Sequence, residues 1–258
     1  MLTLASDFGS PYPAAMKGVV LRRTDARLVD VTHDLPRGDV RASAFWLRET
    51  LPYFPPAVHL AVVDPGVGTD RGVLVVRAGD HALVGPDNGL LLPAARRIAG
   101  APTDAADPPL DAYHADPGDP DSTTFHGRDV FAPLAAEVHE AGVDALDALD
   151  RLTPTTDYAD CRLPEATVDG DEAAGWVVAV DDFGNVVTNV PGDFLDGHES
   201  VRVNGETVPV VETFASVGRG HALVTVGSHG YVECDVNRGR GDEWFGLDPG
   251  NAVTIDAE

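Results

Sequence analysis

The chain has 258 residues, with 42 acidic against 18 basic side chains and a formal charge of -24. That length allows one large domain or two modest ones with a real core. The acid excess argues against a nucleic-acid partner, because phosphate contacts need basic patches, and a 43% hydrophobic fraction argues against disorder.

The bases are 17 Arg and a single lysine, Lys17. Dense carboxylates with almost no lysine fit a salt-rich cytosol, where carboxylates hold water and ions and concentrated salt screens their mutual repulsion. Cys161 and Cys234 are too few for a disulfide scaffold or a four-ligand zinc site. Met1 to Asp7 lacks the charged and apolar regions of a leader, and no segment approaches the ~18 uninterrupted apolar residues of a membrane span. A soluble cytoplasmic protein with no membrane partner is the default expectation.

Leu2 to Ser6 reads as a buried strand ended by Asp7-Phe8-Gly9, and Ala14 to Thr24 has helical spacing after two prolines. Arg27 to Thr32 is strand-like. Asp39 is placed to cap a helix through Tyr53, and Val58 to Val63 is a third strand. This alternation predicts an α/β domain with a mixed, largely parallel sheet over residues 1–155. Gly72 to Arg77 and His81 to Val84 add two strands, and Leu90 to Ile98 and Val130 to Val138 add two helices. The Asp- and Pro-rich stretch from Ala101 to Ser122 reads as a surface loop, its Asp104, Asp107, Asp111, Asp116, Asp119 and Asp121 serving solvation. A short acidic helix at Val143 to Leu149 and a connector over 156–170 follow. From 171 to 258 the texture becomes short β-branched runs between glycine turns, which predicts a small antiparallel β-barrel or sandwich.

In an open α/β sheet, ligands bind outside the carboxyl ends of the strands. Asp7 follows the first strand and Asp64 the third, so two carboxylates would converge on one crevice. Val63-Asp64-Pro65-Gly66-Val67-Gly68-Thr69-Asp70-Arg71 has glycines that let the backbone turn sharply and bring Asp64 to Arg71. A plain structural turn with a surface ion pair is the simpler alternative, whereas a dinucleotide fingerprint fails because the spacing is G-x-G-x-x-x-G and a strand follows in place of a helix. His126, in Thr123-Thr124-Phe125-His126-Gly127-Arg128-Asp129, reads as a loop histidine before an Asp129-capped helix, as a metal ligand with His33 and Asp64, or as the partner of Asp64 and Arg71. Asp181-Asp182-Phe183-Gly184-Asn185 is a turn in its simplest reading, and Ser228-His229 and Asn237-Arg238 flank one strand as turns.

Taken together, S-D-F-G, M-K-G, D-V-T-H-D-L-P, A-V-V-D-P-G-V-G-T-D-R, V-G-P-D-N-G-L-L, T-F-H-G-R-D-V-F-A-P and D-x-F-G-N-V-V-T-N resemble the S-adenosylmethionine hydroxide adenosyltransferase family. These are hydrolytic relatives of the fluorinases and chlorinases, and the motifs run in order from Ser6 to about Asn237. The resemblance implies an α/β domain joined to a C-terminal β-barrel, in a trimer with active sites between subunits. It implies attack of water or hydroxide at the 5′ carbon of S-adenosylmethionine, giving adenosine and L-methionine without metal or redox cofactor. The family's catalytic triad falls on Asp64, Arg71 and His126. Its ribose-binding carboxylate falls on Asp7, its nucleoside and methionine segment on Asp181, Phe183 and Asn185, its methionine-carboxylate site on Ser228 and His229, and its adenine contacts on Asn237 and Arg238. Two departures stand out: Ser10 leads directly to Pro11-Tyr12 where the family has two more residues and an acid, and Gly38 occupies the place of an aromatic in the halogenases.

Overall fold

The structure, a computed structural model, describes residues 1–101 and 108–257. Asp104 and Asp107 of the expected surface loop lie outside the described residues. The chain divides into two compact units, Met1–Arg162 and Leu163–Glu258.

The first unit is a sheet covered by helices on both faces. Its elements are β1 (Leu2–Ser6), α1 (Tyr12–Leu21), β2 (Leu28–Thr32), α2 (Val40–Thr50), β3 (Val58–Val62), β4 (Val73–Ala78), β5 (His81–Pro86), α3 (Leu92–Ile98), β6 (Asp111–Ala115), α4 (Ala132–Ala141) and β7 (Leu152–Thr155). The strand order is β2-β1-β3-β5-β4-β6-β7. The β2, β1, β3 and β5 strands pair in parallel, and the remaining pairings through β4, β6 and β7 are antiparallel. β1 and β3 are buried along their whole length because both of their faces are covered. Leu2, Leu4, Leu60 and Val62 face Met16, Val20, Leu134 and Val138 of α1 and α4. Ala5, Ala61 and Val63 face Leu47 and Leu92 of α2 and α3.

This arrangement fixes where a ligand can sit. α1 leads from β1 to β2 on one side, and α2 crosses the other face to reach β3 on β1's opposite side. The order in which strands are added therefore reverses between β1 and β3, and the carboxyl ends of these two parallel strands open a crevice at that switch point. Asp39 caps α2 as expected, its side chain accepting from the Ala42 N–H at 3.0 Å.

Several elements differ from the sequence reading. β6 runs through the stretch read as a surface loop. Its Asp-Ala-Tyr-His-Ala sequence has weak strand propensity, and pairing to β4 and β7 overrides it. Asp111 is thereby an ion-pair partner of Arg77 at 2.7 Å, and Asp116 accepts from the Gly118 N–H at 2.9 Å, so neither carboxylate serves solvation alone. Asp129 does not cap a helix. It pairs with Arg128 at 2.6 Å, and a wide turn over Gly127–Phe131 leads into α4.

The second unit contains β8 (Thr167–Asp169), β9 (Glu172–Val180), β10 (Val186–Pro191), β11 (Ser200–Val203), β12 (Glu206–Pro209), β13 (Ala222–Val226), β14 (Tyr231–Val236), α5 (Gly241–Phe245) and β15 (Ala252–Ala257). The order β12-β11-β15-β9-β10-β14-β13 is antiparallel throughout, and a bridge from Val210 to Val224 brings its ends together as a nearly closed barrel. β9 begins earlier than the β-branched run suggests because Glu-Ala-Ala-Gly carries little strand propensity, yet its alternating burial fits one face on the core.

Within β14, Val232, Cys234 and Val236 point into the barrel core. Glu233 and Asp235 take the opposite face but are also buried, and neither oxygen of Asp235 has a hydrogen-bond partner among the described residues. Burial and the Asp181 charge push Glu233 up to about 7. Burial, Glu233 and Asp181 push Asp235 up to about 8. Both carboxyls ionise near pH ~4 in an unfolded chain, so the folded barrel retains protons that the unfolded chain releases. The associated stability is present below that pH and is lost as pH rises through 7 to 8. Asp235→Asn should therefore flatten the alkaline decline: melting temperatures taken at roughly pH 5 and pH 9 should fall less for the variant than for the parent, and equal falls would contradict the assignment.

Candidate active site

The Asp64 to Arg71 loop is shaped by short local bonds. The Val67 N–H donates to the Asp64 carbonyl at 3.3 Å, and the Thr69 N–H and hydroxyl both donate to the Gly66 carbonyl, at 3.1 and 2.7 Å. Gly68 sits at φ +81, a left-handed conformation that a residue with Cβ rarely adopts. These turns fold the chain back, so that Arg71 returns beside Asp64.

The result is a bidentate fork. Arg71 Nε donates to Asp64 Oδ1 at 3.0 Å and Nη2 donates to Oδ2. The two side chains are only 9% and 7% exposed. Nη2 also donates to His126 Nδ1 at 3.3 Å, Nη1 donates to the Gly72 carbonyl at 2.6 Å, and the guanidinium lies 5.0 Å from the Phe131 ring centroid. Since Nδ1 accepts from a guanidinium that has only donors, a neutral His126 carries its proton on Nε2. Asp64, Arg71 and His126 are thus one bonded chain, and the surface-ion-pair reading is set aside because the pair is nearly buried. Among the described residues, no group of three or more His, Cys, Asp or Glu is placed to hold a metal ion.

Asp7 and Asp64 open on the same cavity, of about 670 Å³, outside β1 and β3. Asp7 Oδ2 accepts from the Gly38 N–H at 2.8 Å, which fixes the carboxylate. Phe8, Tyr12 and Phe125 form an apolar wall of edge-on rings with centroids 5.4 to 6.3 Å apart. Arg37, Val67, Ser122, Thr124 and Arg128 complete much of the lining. Sequence reasoning missed this wall, although Phe8 and Phe125 sit inside the motifs that marked the site. Only the fold shows that residues so distant in sequence share a cavity.

Behind Asp7 lies a hydrogen-bonded chain that uses four other motif residues. Lys17 Nζ donates to Asp30 at 2.8 Å, Asp30 meets His33 Nε2 at 3.1 Å, and His33 Nδ1 meets the Ser6 hydroxyl at 2.7 Å. Burial opposes ionisation of Asp30, but the hydrogen bonds from Lys17 and His33 prevail and hold its carboxyl below the usual range. Ser6 is fully buried, so this serine, histidine and aspartate set cannot present a nucleophile. It braces the Ser6-Asp7 backbone, and it engages both ring nitrogens of His33.

The remaining candidates lie in the second unit. Asp181 Oδ1 accepts from the Phe183 and Asn185 N–H groups, both at 2.9 Å, and Oδ2 accepts from Asn185 Nδ2 at 3.0 Å. Asp181 and Asn185 therefore hold their own turn together, while Phe183 projects from it 78% exposed. Ser228 and His229 form the turn between β13 and β14, and Asn237 and Arg238 follow β14 at its other end. Asn237 Nδ2 donates to the Val217 carbonyl at 2.7 Å, and Arg238 has a left-handed φ of +54. The structure brings Asp181, Phe183 and Asn185 together in one turn but separates the Ser228 and Asn237 pairs by the length of β14.

Comparison with known proteins decides the family. The N-terminal domain of SAM hydroxide adenosyltransferases matches residues 2–149, and the C-terminal domain of the same proteins matches 175–254. The chain belongs to the SAM hydroxide adenosyltransferase family. Family relatives named (R)-S-adenosyl-L-methionine hydrolase occur in Salinispora tropica, 42% identical over 99% of this chain and 97% of theirs, and in Thermus thermophilus, 40% identical over 97% of each. Solved structures of a conserved protein from Thermotoga maritima (TM-score 0.83, 31% identity, 99% and 100% coverage) and of one from Thermus thermophilus (TM-score 0.74, 38% identity, 98% of each chain) share the fold.

The Asp181–Asn185 segment is thus a self-braced turn that displays an aromatic ring. Asp181→Ala leaves three donors without their acceptor and should lower stability by roughly 1.5–3 kcal/mol. Phe183→Ala, at an exposed tip, should change it by less than ~0.5 kcal/mol. Urea titration of the two variants checks the contrast, which reverses if Phe183 is the structural residue.

Proposed function

We propose that the protein hydrolyses S-adenosylmethionine at the 5′ carbon, giving adenosine and L-methionine. The observation that carries this reading is the bonded chain of Asp64, Arg71 and His126, whose Asp64 carboxylate lines one cavity with Asp7. The names of the relatives support the same substrate.

The chemistry suits these residues. A sulfonium leaves as a neutral thioether, so no general acid is needed, and the reaction calls for neither a metal nor a redox cofactor. The nucleophile is the difficult part, since bulk water has a pKa of about 15.7. Water held against Asp64 forms the C5′–O bond as C5′–S breaks, with the bonding pair leaving on sulfur. Because Arg71 donates to Nδ1, neutral His126 cannot accept at its protonated Nε2, so the unused lone pairs of Asp64 are the acceptor for the water proton. Arg71 orients that carboxylate, and His126 supplies a donor toward the oxygen. A carboxylate at this place accepts from water and repels chloride, which favours hydrolysis over halide transfer.

Asp7, with acceptor lone pairs unused by Gly38, suits the ribose diol, and the wall of Phe8, Tyr12 and Phe125 suits the apolar faces of the nucleoside. We assign Asp181, Phe183, Asn185, Ser228, His229, Asn237 and Arg238 to the methionine and adenine contacts, in a homotrimer whose sites form between subunits. The acid excess supports a salt-loaded cytoplasm. No helix among the described residues is long and apolar enough to cross a membrane.

Incubation with S-adenosylmethionine in KCl should yield adenosine and methionine, and 5′-chloro-5′-deoxyadenosine would overturn the choice of nucleophile. Asp64→Asn, which keeps the shape but not the charge, should cut kcat by roughly 10²–10⁴-fold while calorimetry still detects substrate binding. Tight binding without turnover by the parent protein would identify a sensor instead. For the salt reading, the melting temperature should rise steadily with KCl, and full stability without salt would contradict it.

A further inference from the structure

The V-G-P-D-N-G-L-L segment has no role in the chemistry above, yet it touches the backbone on both sides of the triad. Asn88 Nδ2 donates to the Val63 carbonyl at 2.9 Å, immediately before Asp64. The neighbouring Asp87 N–H donates to the Gly72 carbonyl at 3.0 Å, immediately after Arg71, and that carbonyl also receives Arg71 Nη1.

This contact falls where the sheet gives out. β3 pairs with β5 only from Val58 to Leu60, and with β1 only as far as Val62. Val63 is fully buried, so its carbonyl needs a partner, and the Asn88 amide supplies one where the ladder has ended. The two strands are pressed together on the way there, since a Cβ at Gly85 would lie 2.3 Å from the Ala61 carbonyl oxygen. The Asn88 turn is itself held: its Oδ1 accepts from the Leu90 N–H at 3.2 Å, and Asp87 Oδ1 accepts from the Ala159 N–H at 2.8 Å. Behind it, Arg96 anchors Asp160 at 2.6 Å and the Cys161 carbonyl at 3.1 Å.

We infer that Asn88 is a positioning residue for the hydrolysis, setting the direction of the Asp64 carboxylate through the Val63 carbonyl while the adjacent Asp87 N–H holds the Arg71 end of the same loop. The inference rests on the triad reading given above. A misplacement of about 1 Å in such a site can cost ~10²-fold in rate.

Asn88→Asp is the informative variant. It preserves volume and the acceptor for Leu90, but loses the donor to Val63 and sets a carboxylate against that carbonyl. We expect kcat to fall about 10–100-fold, with KM for S-adenosylmethionine within about twofold and a cooperative thermal transition retained. The pH dependence of kcat should also shift, because the carboxylate that accepts the proton has moved; a merely structural loss would scale the profile without moving it. Asn88→Ser, whose hydroxyl can donate and accept, should recover part of the rate and serves as the test should Asn88→Asp not fold. On an Asp64→Asn background, Asn88→Asp should add little further loss. Unchanged kcat in folded Asn88→Asp, or a loss that multiplies fully with Asp64→Asn, would overturn the positioning role alone. Unchanged kcat in Asp64→Asn would overturn the triad reading and this inference with it.

Discussion

A guanidinium and a carboxylate that are both less than a tenth exposed can share a site only if their attraction and hydrogen bonds offset the loss of water around each. That condition organises the first unit around Arg71 and Asp64. A single contact would not meet it, because desolvating two ions costs several kcal/mol apiece. The fork geometry, the Gly72 carbonyl, the His126 nitrogen and the Phe131 face together use nearly all of the guanidinium's bonding capacity. Arginine suits this place where lysine would not, since only a planar fork can engage one carboxylate twice and still reach two further acceptors.

The same constraint explains the surrounding backbone. Two strand ends must stop at defined heights for Asp7 and Asp64 to face one cavity, and each end is held by groups from elsewhere in the unit. Ser6 and Asp7 are braced by His33, Asp30 and Lys17 and by the Gly38 N–H, while Val63 and Gly72 are held by the Asp87-Asn88 turn. The motifs that carry no reacting group thus carry the supports of those that do. The barrel unit solves a different problem with the same residue type: Asp181 satisfies three donors of its own turn, whereas Asp235 is buried without a hydrogen-bond partner among the described residues, and burial beside Glu233 and Asp181 pushes its carboxyl up to about 8.

Much of the first unit was legible in sequence because each cue was local. Asp39 caps α2 by an acceptor three residues ahead of its donor, and the largely apolar segments of β1 and β3 have the length of strands covered on both faces. Cues failed where neighbours supplied the stability. β6 is a strand only because β4 and β7 flank it, and the start of β9 is one although alanine and glycine do not favour it. Asp129 looks like a helix cap but spends its carboxylate on the adjacent Arg128.

For the site, the sequence by itself determined which groups were available: Asp64 and Arg71 seven residues apart around two glycines, His126 before an apolar helix, and Asp7 at a strand end, in an order that resembles one enzyme family. Their chemistry and local turns depend on near neighbours alone. Only the tertiary structure decided that Arg71 reaches His126 across 55 residues, that Phe8, Tyr12 and Phe125 form one wall, and that Asn88 takes over the Val63 carbonyl where the ladder ends. Those contacts arise because the order of strand addition reverses between β1 and β3 and helices pack both faces of the sheet, a long-range outcome of burial that no short stretch of residues encodes.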